Sequence, residues 1–88
     1  MRIEETILSS LFVNDEFTRK VTPFIKGEYF AERSERIIFE EFEKLFLQYN
    51  HVPSPEMVAN EVFARKDLFE DEHKNIQESL DDIKDNQT

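Results

Sequence analysis

At 88 residues and 10.6 kDa the chain is one small domain. It is 39% hydrophobic and 35% charged, too apolar for a disordered chain, and its single Gly, three Pro and absent Cys exclude collagen-like, disulfide-stapled and thiolate-zinc architectures. The net charge of −9 repels phosphate polymers, which argues against nucleic-acid binding by this domain alone.

The acidic excess is uneven. Residues 1–68 carry thirteen acids and nine bases; residues 69–88 carry seven acids and two bases. No apolar run approaches the roughly 20 residues needed to cross a bilayer. The first five residues, Met1-Arg2-Ile3-Glu4-Glu5, do not read as a secretory signal. The absence of Cys fits a reducing cytoplasm.

Apolar residues recur at helical intervals almost throughout. The first helix covers about residues 3–13, with Ile3, Ile7, Leu8, Leu11 and Phe12 on one stripe and Glu4 and Glu5 in its first turn. Asn14 reads as the N-cap of a second helix whose buried face is Phe17, Val21, Phe24 and Ile25. Pro23 should kink or end that helix near Val21. Lys26-Gly27 suits a helix C-terminus, with Gly in the left-handed conformation. Glu28, Tyr29 and Phe30 form a short turn whose two aromatics are expected to plug the core.

A third helix runs from about Ser34 to Tyr49, with Ile38, Phe42, Leu45, Phe46 and Tyr49 on one stripe. Ile37 and Leu47 point away from it. That marks a central helix packed on two sides; the competing reading is that Ile37 or Leu47 meets a partner chain. Ser54-Pro55-Glu56 is a strong helix start: Ser caps, Pro takes the first helical position, and the acid favours the first turn. The fourth helix carries Val58, Val62 and Phe63 to about Lys66. The fifth spans about 70–84, with Phe69, Ile76, Leu80 and Ile83 on one side together with His73.

Catalytic chemistry is hard to build from these residues. No Cys nucleophile exists, His51 sits in a loop, and His73 follows Glu70-Asp71-Glu72, consecutive residues that fan around a helix and cannot converge on one ion. Glu78 and Asp82 share a face, but on so acidic a helix they read as solvated surface. Glu40-Glu41 and Asp81-Asp82 are adjacent and diverge. One Gly cannot make a phosphate loop, so Walker A and dinucleotide fingerprints are absent. The basic pairs Arg19-Lys20 and Arg65-Lys66 stand beside acids, as on an ordinary mixed surface.

Taken in order, several segments resemble a known family. Ile3-Glu4-Glu5-Thr6-Ile7-Leu8-Ser9-Ser10-Leu11-Phe12-Val13 is similar to the opening helix of the N-terminal domain of DnaB-type replicative helicases, with Ser9 where the family often has Gly. Tyr29-Phe30, then Arg36-Ile37-Ile38-Phe39-Glu40, resembles the family's aromatic-Phe pair followed by Arg-x-Ile-Phe. Val52-Pro53-Ser54 resembles the loop after the family's long third helix. The family's usual Asp-Pro and His before the Arg are replaced by Glu32-Arg33 and Glu35. Phe24, Glu28-Tyr29-Phe30 and Val52-Pro53-Ser54 look nearest to the T-even-phage branch.

The resemblance, over residues 3–83, implies a collar domain on a ring hexamer that unwinds DNA at the replication fork. Such a domain contributes to ring assembly and to docking of primase or the helicase loader. It implies no cofactor in these 88 residues, with ATP and Mg belonging to a RecA-like ATPase domain beyond them. Partners would be other helicase subunits, primase and loader, in the cytoplasm of the host if the source is a phage.

The expectation is therefore an all-α domain, a small orthogonal bundle of about five helices plus one short helical turn over residues 1–84, with 85–88 a frayed tail toward a linker. The expected core is Ile7, Leu11, Phe12, Phe17, Val21, Phe30, Ile38, Phe42, Leu45, Phe46, Val58 and Val62. Candidate partner-binding residues are Phe69, Ile76, Leu80 and Ile83, with Ile37 and Leu47; the alternative is that the last-helix stripe simply closes the bundle. Two rival functions stay open: the helicase-binding domain of a primase, and a free-standing acidic phage protein that inhibits a host enzyme.

Overall fold

The computed structural model describes residues 3–85. Five α-helices follow one another: α1 (Ile3–Val13), α2 (Asp15–Val21), α3 (Arg33–Tyr49), α4 (Pro55–Phe63) and α5 (Glu70–Asp85). Two single-turn 3-10 helices, Thr22–Phe24 and Gly27–Tyr29, link α2 to α3. No strand occurs among the described residues. The tail expected at 85–88 has Asp85 as the last residue of α5, and its other three residues lie outside the described range.

Local chemistry explains most boundaries. Asn14 caps α2, its side-chain oxygen accepting the Phe17 N–H at 3.0 Å. The Thr18 hydroxyl, fully buried, donates to the Leu11 carbonyl at 2.7 Å and pins the α1–α2 corner. Pro23 ends α2 at Val21, and the chain tightens into a 3-10 turn. Ser54 caps α4 through the Met57 N–H at 3.2 Å, with Pro55 in the first helical position. α4 itself stops at Phe63, short of the expected Lys66.

Gly27 departs from the expectation. It opens a 3-10 turn rather than ending a helix, and its φ is not positive. A Cβ there would sit 3.4 Å from Cγ of Arg36 on α3, an ordinary contact with a flexible side chain, so neither space nor φ demands glycine. The left-handed residue is Asn50, with φ 61°, whose N–H donates to the Phe46 carbonyl at 2.8 Å and closes α3.

α3 is the central helix. Its buried residues, from Ile37 and Glu41 through Leu45, Ile38, Phe42 and Glu35 to Phe46 and Phe39, sweep an arc of roughly 200° at 100° per residue. α1, α4, α5 and the second 3-10 turn pack around that arc. Phe42 lies within it, edge-to-face with Phe12 at 4.9 Å and with Phe46 at 6.3 Å. Phe30 enters beside Phe39, rings 5.3 Å apart. Arg36 locks that entry by donating to the Phe30 carbonyl at 3.1 Å.

Most of the expected core is buried. Ile7, Phe17 and Val21 only lean against it, while Leu8, Ile37 and Phe39 join it fully. Tyr29 and Tyr49 are exposed, against expectation. Tyr29 turns outward from its 3-10 turn, and Tyr49 lies on the last residue of α3, past the helices that cover the stripe. Phe24, expected on the buried face of α2, is 76% exposed. The cause is Pro23: a 3-10 turn advances about 120° per residue and rotates Phe24 off the face that α2 would have presented.

Candidate interaction surface

Four of the six candidate partner residues belong to the core. Ile76, Leu80 and Ile83 are wholly buried and close α5 against α1, α3 and α4, and Ile37 is buried on α3. The idea that the α5 stripe exceeds what the core can bury is corrected: a central helix buried over half its circumference has room for it. Leu47 and Phe69 remain outside, at 74% and 77% exposure. The central-helix reading of α3 therefore holds through Ile37, while Leu47 faces solvent.

Leu47 stands on the wall of a groove of about 410 Å³ between the C-terminal half of α3 and the α2–3-10 junction. Pro23 and Phe46 complete its apolar lining, and Arg19, Thr22, Glu43 and Asn50 supply the polar part. Arg19 makes three contacts. It donates to Asp15 at 2.7 Å and to the Asn50 carbonyl at 2.8 Å, and its guanidinium lies 5.5 Å from the Phe46 ring centre. The Thr22 hydroxyl is buried without a hydrogen-bond partner among the described residues. Sequence reasoning named Leu47 but missed the groove. Its walls come from residues twenty or more apart, brought together when the chain between α2 and α3 places Arg19 beside Asn50 at the end of α3.

Phe69 sits at the start of α5. Its N–H donates to Glu72 Oε1 at 3.1 Å, the reach-back half of a capping box, and Glu72 also pairs with Arg33 at the start of α3. The Phe69 N–H first and the Arg33 guanidinium second hold the Glu72 carboxyl below its ordinary range. His73 stacks near Phe63, rings 5.3 Å apart, rather than joining the acids before it.

The titratable groups elsewhere serve cohesion between helices. Glu41, largely buried on α3, sits 2.7 Å from Lys44 and 3.7 Å from Arg65, tying the exit of α4 to α3. Glu41 is the leading cause of the raised pKa of Lys44, with Glu61 adding to it. Glu56 is held below its ordinary value by its own backbone N–H and then by Lys84 at 3.5 Å, which ties α4 to α5. His51 is exposed beside Tyr49. Glu78 and Asp82 border a shallow acidic cleft with Glu5, Glu35 and Ser79. No cluster of three or more potential metal ligands occurs among the described residues.

Compared with known families, the chain matches the model of the DnaB-like helicase N-terminal domain over residues 1–87. The chain belongs to that family. The DnaB N-terminal domain carries no ATPase, so the catalytic part of such a helicase is not in these 88 residues. No curated protein and no solved structure matches the chain significantly. No helix among the described residues is long and apolar enough to cross a membrane.

Proposed function

We propose that this chain is the N-terminal interaction domain of a hexameric replicative DNA helicase, acting in ring assembly and in docking of primase or the helicase loader in the cytoplasm. The observation that carries the proposal is the family match over residues 1–87. Two exposed apolar features, the Leu47 groove and Phe69, support it by giving the domain something to offer other proteins. The net charge of −9 favours protein contacts over DNA contacts. Within the family, Phe24, Glu28-Tyr29-Phe30 and Val52-Pro53-Ser54 favour a phage branch resembling that of the T-even phages.

A pull-down with immobilised domain tests the reading against three proteins: the cognate helicase, its primase and its loader. The expected result is capture of the helicase and of at least one of the other two. Capture of none of them would contradict the proposal. Capture of the helicase alone would confine the role to assembly.

A further inference from the structure

We propose that residues 15–24, which are α2 and the 3-10 turn after it, form a strap latched to α3 by Arg19. The strap swings away from α3 while the rest of the bundle stays folded. The inference goes beyond the functional reading above and does not depend on what the domain binds.

Burial gives the first argument. Between Phe12 and Phe30 the chain contributes no buried apolar side chain. The buried residues there are Thr18 and Thr22, and Phe17, Val21 and Ile25 only lean against the core. Each of α1, α3, α4 and α5 instead buries at least two apolar side chains completely. A segment that buries little apolar surface opens at a lower free energy than the whole domain unfolds. The Thr22 hydroxyl adds to the difference. It is shut away without a hydrogen-bond partner among the described residues, and opening returns it to water.

Attachment gives the second. Thr18 ties α2 to α1 through the Leu11 carbonyl, a bond at the α1–α2 corner that can serve as a pivot. Extended backbone flanks the strap, at Asn14 before it and at Ile25 and Lys26 after it. Residues at the ends of elements absorb the dihedral changes of a hinge. Toward α3 the polar hold is Arg19. Among the described residues no other residue of 15–24 makes a hydrogen bond or ion pair with α3 or Asn50. The Asn50 carbonyl lies at the negative end of α3, whose last turn carries no basic residue, so Arg19 supplies the cation that end lacks. Its bond to Asp15 lies within the strap and travels with it.

The device acts on the groove already described. Arg19, Thr22 and Pro23 belong to one wall of it, and the end of α3 is the other. Opening the strap widens the groove and bares the Phe46 ring beneath the Arg19 guanidinium.

The chain has no Cys, so one introduced thiol is a unique reporter. Thr22→Cys places it on the buried side of the strap, and Val58→Cys places it in the core on α4. Both changes nearly conserve volume, and circular dichroism checks the fold. Reaction with a thiol reagent under native conditions reads how often each site opens. The thiol at position 22 should react at least about tenfold faster than the one at position 58. Adding Arg19→Ala should speed the reaction at position 22 by about tenfold. Arg19→Lys, which keeps the charge and loses the planar fork, should speed it less. Ile83→Val, a truncation on α5 outside the strap, should speed the reaction at position 58 several-fold and leave position 22 unchanged. Equal rates at the two positions, no effect of Arg19→Ala at position 22, or parallel acceleration of both positions by Ile83→Val would overturn the proposal.

Discussion

Phe42 and Asn50 show how much a single residue settles in so small a domain. Phe42 has no exposed surface and sits within the α3 arc, ring to ring with Phe12 and Phe46. Phe42→Ala should cost about 3–5 kcal/mol, enough to unfold most of a domain this small. A denaturant titration checks it, and a midpoint near that of the unmodified chain would show that the ring is not a keystone. Asn50 holds a left-handed backbone that Gly adopts freely and Ala resists. Asn50→Gly should leave stability nearly unchanged, and Asn50→Ala should lose about 1 kcal/mol. Thermal unfolding of both variants distinguishes backbone geometry from the side chain's contact with Arg19. The left-handed assignment read from the sequence went to Gly27 instead. A one-glycine chain makes that glycine the obvious candidate, but its φ is not positive.

Elements with one buried face were the most legible. α4 begins where Ser54-Pro55-Glu56 announces it, and α5 spans within a residue of expectation because Ile76, Leu80 and Ile83 form one narrow stripe. What spacing cannot reveal is what covers a stripe. The same three residues fit a core or an interface, and only the wide arc of α3 shows that the core has room for them. The break at Pro23 was legible too, but the rotation of Phe24 that follows it was not, because helical spacing no longer applies past the proline.

At the start of α5, Glu72 makes a further prediction. Its carboxyl is held below the ordinary value by the Phe69 N–H and by Arg33. The folded value lies below the unfolded one, so the anion's stabilising contribution is complete above the unfolded value. It is lost as pH falls through the folded value. Urea midpoints measured down the acid limb should fall less steeply for Glu72→Gln than for the unmodified chain. The Phe69 amide should exchange faster in the variant at neutral pH. Parallel acid limbs would show that the cap contributes nothing.

For the whole molecule, the family was more legible than the shape of the surface. Missing nucleophiles, a single glycine and strong acidity pointed toward protein contacts, and the ordered helical segments pointed toward the family that matches residues 1–87. The groove was not legible, since Arg19, Pro23 and Leu47 meet only in the folded chain. A competition experiment tests the central claim most directly. Free domain, added in excess to intact cognate helicase with its primase, should lower helicase-stimulated primer synthesis, and an unfolded Phe42→Ala domain should not. Primer synthesis unmoved by saturating free domain would contradict the account.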